Sequence, residues 1–311
     1  MARKKRINFN IDKIKLCYKQ PSGIFQEFAN KKGTNKKGII YKDDYDLKVL
    51  PDESDDLHIK IAVNICGSLL GNLTLNNSKQ CEGLCFFRFD NKALYEFLSA
   101  DVSTGQKYNM IGVWELIADD LGLEFNNITE LEVACDCNLN LPAKVRKLIR
   151  DFEHYEMFCN GKKVDDPNRT IDKYHEVFNR SRKRLQKHPS IYIEQARKDG
   201  PLLRIYNKTK EIEAKKHTKD YISEWNMFAT IFRAEVRLKS LSIKEFLNKY
   251  TPDMDYFTTL QMIQSKHFLV SIWDFFADRL LFFRDMDGND IHLSDLLGDL
   301  PTSFVRNKLF F

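Results

Sequence analysis

The stretch LLRIYNKTKE, residues 202–211, alternates apolar and polar side chains, a pattern that predicts an extended strand. On such a strand Arg204, Tyr206 and Lys208 share one face, and the apolar residues between them share the other. A tyrosine between two cations has positive charge on both sides of its phenol. An anion that reached this face would meet a nucleophile together with the charges that attract it.

Two further predicted strands carry polar residues at every second position. ITELEVACDCN (128–138) places carboxylates on one face, and the strand around FRAEVRLK (230–240) places cations and one carboxylate on one face. If these strands share a sheet with residues 202–208, their polar faces form one surface of carboxylates, cations and a tyrosine. Its members on the two strands are Glu130, Glu132 and Asp136, and Arg233, Glu235, Arg237 and Lys239.

This set of residue types fits the cleavage of a phosphodiester. Arginine binds phosphate bidentately, tyrosine forms covalent intermediates, and carboxylates bind hard divalent cations. A free phenol has a pKa of about 10, so a nearby cation is needed to favour its anion. We expect Arg204 or Lys208 to offset the charge that builds in the transition state. A Mg²⁺ or Mn²⁺ ion would polarise the phosphate, and its expected ligands are Glu132, Asp136 and Glu235.

The same residues also fit an ordinary polar face of an antiparallel sheet, with salt bridges between the strands. The pattern alone does not separate this interpretation from the catalytic one. What favours catalysis is the combination of carboxylates, arginines and a tyrosine.

The motifs LEVACDCN, LRIYNKTKE and FRAEVRLK, which follow a strand such as IDKIKLCYK, resemble the rolling-circle plasmid replication initiators of the Rep_trans class. In that class a strand of the form R-I-Y-x-K carries the nucleophilic tyrosine, which matches Tyr206. The next motif, R-x-E-x-R, matches residues 233–237. The acidic strand usually has two aspartates and matches Glu132 and Asp136, the first of which is a glutamate here.

The resemblance spans most of residues 7–240 and implies a function. The protein would nick one strand at a double-strand origin, keep the 5′ phosphate on Tyr206 and leave a 3′ hydroxyl for a polymerase. It implies a homodimer with a strongly curved antiparallel sheet and a host helicase as partner. The catalytic residues that we predict are Tyr206, Arg204, Lys208, Arg233 and Arg237.

Two other functions remain open from the sequence. A relaxase of a mobile element would use the same nicking reaction for transfer, and a sequence-specific DNA-binding protein would use the same cations without catalysis. The His-hydrophobe-His metal motif of other tyrosine nickases is absent, since no two of the seven histidines are separated by one residue. Carboxylate ligands are therefore the more coherent prediction for a metal.

Positive charge is concentrated in one part of the chain. The net charge is +5, and residues 141–217 contain 20 Lys and Arg against 11 Asp and Glu. Concentrated positive charge inside a cell favours nucleic acid as the partner. A second cluster, residues 3–6, is at the N-terminus. The run RSRKRLQKH supplies the predicted DNA-binding residues Arg180, Arg182, Lys183, Arg184 and Lys187.

The order of the predicted elements is typical of α+β proteins with antiparallel sheet, with helices on one side. Residues 7–121 and 122–250 each contain strands and helices, which is compatible with two similar halves, although no sequence repeat relates them. We predict a nicking domain over 1–250 and a helical C-terminal region over 251–311, a candidate for origin recognition. Residues 34–56 are charged and rich in turn residues, so they predict a surface excursion.

Bulk properties exclude several classes of protein. The 311 residues are 43% hydrophobic, enough for a substantial core. No apolar run of about 18 residues predicts a membrane span, and the basic N-terminus precedes no apolar signal segment, so we expect a cytoplasmic protein. Seven scattered cysteines predict reduced, buried thiols.

Overall fold

A computed structural model of the protein describes residues 6–31, 39–41, 44–99, 110–165, 190–195, 197, 199–250, 256–263 and 265–298. The chain divides into two compact units. Unit 1 contains the described residues within Met1–Ile11, Glu132–Asp253 and Ile263–Phe311, and unit 2 contains those within Asp12–Leu131 and Met254–Met262.

The described residues form strands and helices throughout both units. The strands are β1 (Ile7–Lys19), β2 (Ile39–Tyr41), β3 (Tyr45–Val49), β4 (His58–Ile65), β5 (Ser68–Asn76), β6 (Leu84–Phe89), β7 (Glu124–Cys137), β8 (Tyr155–Cys159), β9 (Lys162–Lys163), β10 (Ile191–Glu194), β11 (Leu202–Asn207), β12 (Phe232–Lys239), β13 (Leu281–Asp285) and β14 (Asp290–His292). The helices are α1 (Ile24–Ala29), α2 (Asn91–Ser99), α3 (Met110–Asp120), α4 (Leu141–Arg150), α5 (Lys208–Ala214), α6 (Asp220–Asn226), α7 (Ser240–Tyr250), α8 (Tyr256–Met262), α9 (Lys266–Leu280) and α10 (Leu293–Leu297).

Unit 1 contains two groups of strands. In the main sheet the order is β10-β11-β12-β7, and in a separate four-stranded sheet the order is β14-β13-β8-β9. β11 pairs antiparallel with both β10 and β12, and β13 pairs antiparallel with both β8 and β14. Helices α4 and α9 pack against β11 and β12.

The alternation of β11 and β12 determines which residues enter the core of unit 1. Leu203 and Ile205 are fully buried on β11, as are Ala234 and Val236 on β12. Full burial of a Val, Leu or Ile side chain stabilises the fold by about 1.5–3 kcal/mol. The indole of Trp273 on α9 donates a 3.0 Å hydrogen bond to the Ala234 carbonyl oxygen, which fixes that helix on the sheet. The polar residues of the same strands consequently occupy the opposite face.

Helix α4 begins with a cap that its sequence predicts. The Asn140 side chain accepts a hydrogen bond from the Ala143 backbone amide at 3.2 Å, and Pro142 lies in the first turn. Leu141, Val145 and Ile149 recur at helical spacing and are buried. The residues between them leave a polar and basic face on this helix.

Unit 2 contains strands and helices of its own. Its strand order is β7-β1-β6-β5-β4-β3-β2, and the pairings from β1 through β6 to β2 are antiparallel. In its core the Phe87 ring stacks on the Trp114 indole with a centroid distance of 3.4 Å. Trp114 also donates a hydrogen bond to the Tyr18 hydroxyl. This aromatic cluster fastens α3 to the sheet.

The fold class predicted from the sequence, α+β with a large antiparallel sheet, is confirmed. Several element boundaries were predicted wrongly. The predicted strand 202–208 ends one residue earlier, because Asn207 caps α5 and Lys208 is the first residue of that helix. PAKVRKLIRDFEHYEMF, with Pro142 in its first turn, predicts a helix over 142–158. The helix ends at Arg150, and Tyr155–Cys159 is strand β8, which pairs with β13.

Two further predictions need correction in the same way. Residues 34–56 contain strands β2 and β3, which extend the sheet beyond β4, so the segment is not only a surface excursion. Ser242 and Glu245 in SIKEF have the spacing of a capping box, which predicts a helix that begins there. Helix α7 begins instead at Ser240, and Ser242 is buried inside it.

The predicted domain boundary near residue 250 stays a prediction. Within the predicted C-terminal region, α8 belongs to unit 2, whereas α9, β13, β14 and α10 belong to unit 1. Within RDMDGNDIHL the Asp287-Gly288 pair predicts a hairpin, and this turn joins β13 to β14.

The cysteines of the chain are all free, and most of them are buried, as the sequence indicated. No helix within the described ranges is long and apolar enough to span a membrane.

Candidate functional site

The candidate site lies on the polar face of β11 and β12 in unit 1, at the end of β11. The register of these strands places Tyr206 directly opposite Arg233 and Arg204 directly opposite Glu235. Residues directly opposite each other in an antiparallel pair have neighbouring side chains. The pairing therefore gathers four of the residues that the sequence singled out.

The phenol of Tyr206 lies between a carboxylate and an ammonium group. It donates a 2.9 Å hydrogen bond to Oε2 of Glu235, and Nζ of Lys208 lies 3.4 Å from the phenolic oxygen. A phenol hydrogen-bonded in this way has an acceptor for its proton and a cation for the oxyanion that remains. Tyr206 itself is half-buried.

Lys208 reaches the phenol from the first turn of α5. Its side chain is buried, and its ammonium forms an ion pair with Glu211 at 2.7 Å. Burial alone would raise the pKa of Glu211, but the charge of Lys208, and hydrogen bonds from Lys208 and Lys215, lower that pKa to about 2. Glu211 is thus a carboxylate that holds the buried Lys208 ammonium beside Tyr206.

Asp136 and Arg233 form an ion pair in the interior of unit 1. Both side chains are 0% exposed, and the pair is bidentate, with distances of 2.6 Å from Nε to Oδ1 and 2.8 Å from Nη2 to Oδ2. The Asn226 side-chain amide donates a third hydrogen bond to Oδ2 of Asp136 at 2.9 Å. Both carboxylate oxygens of Asp136 are therefore engaged by side chains of this chain.

Arg204 connects the remaining two carboxylates. Its Nη2 atom contacts Oε1 of Glu235 and lies 3.7 Å from Oε2 of Glu132. Nη1 of Arg233 lies 3.7 Å from the other oxygen of Glu235. Glu132 and Glu235 are buried, whereas the Arg204 side chain is 30% exposed. Arg204 and Tyr206 are thus the members of this cluster that solvent reaches.

The predicted metal ligands are separated by these ion pairs. No group of three or more His, Cys, Asp or Glu side chains in the described part of the chain is arranged to hold a metal ion. Asp136 does not fit a metal as placed, because Arg233 and Asn226 occupy both of its oxygens. Glu132 and Glu235 have the hard oxygen donors that Mg²⁺ prefers and face one position, which the Arg204 guanidinium occupies. The predicted need for a metal stays a prediction.

Arg237 lies farther along β12 than the other predicted catalytic residues. It pairs in register with Leu202, two positions before Arg204, and its guanidinium contacts Glu194 of β10 at 3.3 Å. The structure therefore brings Arg204, Lys208 and Arg233 to the Tyr206 end of the site and places Arg237 at the β10 end.

A second tyrosine occupies the same face of the sheet. Tyr192 of β10 is directly opposite Arg204 and is half-buried. Burial first, and then the nearby Glu194 carboxylate, raises the pKa of Tyr192. A raised pKa disfavours the nucleophilic anion, so Tyr192 is the natural comparison for Tyr206.

Some predicted residues cannot be placed, and some important ones were not predicted. The predicted DNA-binding residues Arg180, Arg182, Lys183, Arg184 and Lys187 lie outside the described residues. Asn226, whose side-chain amide links Asp136 to Asn8, was not predicted from the sequence. It follows Trp225 near the end of a short helix, and no motif marks it. Glu211 carried a signal, because an acid three residues after a lysine faces it on a helix.

Comparison with known proteins assigns no family to this chain. No protein-family model matches this sequence, and no curated protein matches it significantly. A solved structure of a rolling-circle replication initiator protein from Geobacillus stearothermophilus is similar, with 13% sequence identity over 94% of this chain and 96% of that chain, and a TM-score of 0.47. No conclusion about function follows from a similarity of that degree.

Proposed function

We propose that this protein nicks one strand of DNA through nucleophilic attack by Tyr206. The observation that carries the proposal is the environment of the phenol, which donates a hydrogen bond to Glu235 and lies 3.4 Å from the Lys208 ammonium. An ordinary polar sheet face needs neither a buried lysine nor a buried glutamate at a tyrosine hydroxyl. A tyrosine nucleophile needs both a proton acceptor and a cation.

Glu235 is the group that takes the proton from Tyr206. Its Oε2 atom already accepts the phenolic hydrogen bond in the structure. Proton transfer along this bond would leave the phenolate beside Lys208, which stabilises the negative charge.

The scissile phosphate would bind at Arg204, the exposed cation of the cluster. A guanidinium presents paired N–H donors that match phosphate oxygens and stabilise charge on them in the transition state. Arg233 is fully buried and bidentate to Asp136, so its role in this proposal is to position Asp136 and Glu235 without touching DNA. Arg237, paired with Glu194, would contact DNA farther from the reacting atoms.

The proposed reaction exchanges one ester bond to phosphorus for another, so it needs neither an oxidant nor a second substrate. The phenolic oxygen of Tyr206 forms a bond to phosphorus, and the bond from phosphorus to the 3′ oxygen breaks. The departing oxygen takes a proton from solvent and becomes a 3′ hydroxyl, while the 5′ phosphate remains on the tyrosine. Because the phosphotyrosine keeps the energy of the original bond, the reverse reaction joins the strand again.

A divalent metal remains part of the proposal at two of the three predicted residues. Glu132 and Glu235 would hold Mg²⁺ or Mn²⁺ once Arg204 pairs with a DNA phosphate, and Asp136 would stay with Arg233. The metal would supply polarisation of the scissile phosphate.

The biological role that we propose is initiation of rolling-circle replication at a double-strand origin. It rests on the resemblance of the motifs around Tyr206, Glu235 and Asp136 to the Rep_trans class. The expected partners are origin DNA, a host helicase and polymerase, and a second copy of the chain, in the cytoplasm. A relaxase would use the same reaction, so the identity of the nicked site distinguishes the two.

A nicking assay on supercoiled plasmid tests the proposal. The plasmid should be the element that encodes the protein, and the control variant is Tyr192→Phe, which changes the other tyrosine of the face. We expect wild type and Tyr192→Phe to convert supercoiled DNA to open circles, and Tyr206→Phe to leave it supercoiled. Binding without nicking by the wild type would favour the non-catalytic DNA-binding protein instead.

A further inference from the structure

A basic cleft lies in unit 1 beside the strand that carries Tyr206. It has a volume of about 640 Å³ and opens between α4, the end of β11 and the start of α5. Asn207 lines it, and strand alternation turns the Asn207 side chain to the face opposite Tyr206. The cleft is therefore distinct from the cluster around the phenol, although Asn207 directly follows Tyr206 in the chain.

The lining of the cleft is strongly cationic. Four cations face one carboxylate there, Asp151, which is itself in contact with the His154 ring at 2.6 Å. None of the four cations has a carboxylate partner in the part of the chain that the structure describes, in contrast to Arg204, Lys208 and Arg233. The four are Arg146, Lys147, Arg150 and Lys210.

Arg146 gives independent evidence for an anion at this place. Its Nη2 atom is buried and has no hydrogen-bond partner among the described residues. A buried charged donor without a partner is unfavourable, and a negatively charged ligand would satisfy it. Burial, and then the charge of Arg150, lowers the pKa of the Arg146 guanidinium, which agrees with an environment that lacks a counter-ion.

The arrangement matches a chain of phosphates better than a single one. Arg146 and Arg150 are one helical turn apart on α4, a rise of about 6 Å, so they can contact successive phosphates. Phe232, the register partner of Asn207, adds an aromatic ring to the lining. Cations that follow a backbone, together with an aromatic ring for base stacking, are what single-stranded nucleic acid binds.

We propose that this cleft, at the end of the strand that carries Tyr206, binds the backbone of a single DNA strand. The proposal rests on the proposed nicking function for its biological role. Phosphate is the chemistry that the cleft recognises, and either a DNA strand or a free nucleotide could supply it. DNA is favoured by the spread of the cations along α4 and by the place of the cleft beside the nucleophile strand.

The test measures equilibrium binding in full-length protein that carries Tyr206→Phe, so that no covalent adduct contributes. The ligand is a fluorescently labelled oligothymidylate, measured by anisotropy over a range of salt concentrations. The cleft variant is Arg146→Gln with Arg150→Gln. The matched control is Lys48→Gln with Lys79→Gln, which removes two exposed positive charges outside the cleft. A second cleft variant, Lys147→Gln with Lys210→Gln, covers the case in which loss of Arg146 prevents folding.

We expect each cleft variant to lower the slope of log affinity against log salt by about 1.4, because each removes two phosphate contacts on a single strand. At about 0.1 M salt this corresponds to roughly 25-fold weaker binding. The control should bind as the parent does. Equal losses in control and cleft variants, or no loss in either cleft variant, would overturn the proposal.

Competition separates the two sources of phosphate. Inorganic phosphate and ATP should displace the oligothymidylate only through their effect on ionic strength. Saturable displacement by ATP that disappears in the cleft variants would show that the ligand is a nucleotide and would overturn the DNA assignment. Nicking by Tyr206 is measured in a separate assay. Binding that depends on the cleft, without nicking, would contradict the proposed reaction but not the cleft. Nicking, without binding that depends on the cleft, would contradict the cleft but not the reaction.

Discussion

Asp136→Asn should destabilise the protein by about 3 kcal/mol, near the lower end of the range for removing one partner of a buried ion pair. The substitution keeps the shape of the side chain but removes its charge. Arg233 would then remain 0% exposed with only the Glu235 carboxylate, 3.7 Å away, as a counter-charge, and an amide N–H₂ group would replace one of the two oxygens that now accept its hydrogen bonds. Because one oxygen of the new amide still accepts a hydrogen bond from Arg233, we expect a loss of stability near the lower end of that range.

Urea unfolding followed by tryptophan fluorescence measures the effect. With a slope of about 3 kcal/mol per M, the midpoint should fall by about 1 M. The control is Glu194→Gln, which breaks the Arg237 pair, whose side chains are 30% and 43% exposed. An exposed pair contributes less than about 1 kcal/mol, so this variant should unfold close to the wild type.

The same urea unfolding, carried out in EDTA, distinguishes two roles for Asp136, as the partner of Arg233 or as a metal ligand. If this carboxylate served a metal instead of Arg233, Asp136→Asn would unfold like the wild type without metal. A loss below about 1 kcal/mol, no greater than that of the exposed control pair, would refute the ion-pair argument.

Two further predictions concern the groups around Tyr206. Glu211→Gln should lower the free energy of unfolding by about 3 kcal/mol near neutral pH, because the folded protein lowers the pKa of Glu211 from 4.5 to about 2. This stability is complete above about pH 4.5 and is lost as the pH falls toward 2, so the urea midpoints of the variant and the wild type should converge over that window. The control is the exposed Glu213→Gln. Nicking should require Mg²⁺ or Mn²⁺. Arg204→Ala should bind Mn²⁺ more tightly than the wild type because it frees Glu132 and Glu235, and it should nick more slowly because about 3 kcal/mol of transition-state stabilisation is lost. Full nicking in EDTA, or weaker Mn²⁺ binding by Arg204→Ala in calorimetry, would count against the metal.

The sequence predicted the strands of the site well, because their apolar and polar residues alternate clearly. The pattern of INFNIDKIKLCYK predicts a strand over 7–19, and β1 has these bounds. β12 begins two residues later and ends one residue earlier than the strand predicted over 230–240. Alternation also predicted that Arg204 and Tyr206 share a face. The register that sets Tyr206 opposite Arg233 was not predictable, because it depends on the path of residues 208–231 between β11 and β12, which the pattern does not reveal.

The errors at the ends of elements have local physical causes. Lys208 continued the strand pattern, but the Asn207 side chain accepts a hydrogen bond from the Lys210 amide and begins a helix there. Residues 155–158 looked like the end of a helix, yet Asn160 and Gly161 both have positive φ angles and form the tight turn that joins β8 to β9. That Asn-Gly pair is a strong hairpin signal in the sequence.

The partners of the carboxylates could not be predicted, since they are determined by tertiary structure. A carboxylate on a strand looks the same in sequence whether it faces a metal, an arginine or water. Asp136 pairs with Arg233, which lies 97 residues later in the sequence. Arg146 and Arg150 were counted in the basic segment, but only the packing of α4 shows that they line a cleft.

Covalent capture of DNA is the most direct measurement of the central claim that Tyr206 is the nucleophile. Origin DNA labelled at its 3′ end, on the fragment whose 5′ phosphate stays on the tyrosine, is incubated with wild type, Tyr206→Phe and Tyr192→Phe, and the products are separated on a denaturing gel. We predict a labelled protein adduct with wild type and with Tyr192→Phe, and none with Tyr206→Phe, which lacks only the hydroxyl that bonds to Glu235. An adduct that persists in Tyr206→Phe and disappears in Tyr192→Phe would contradict the account and move the reaction to the other tyrosine of the same sheet face.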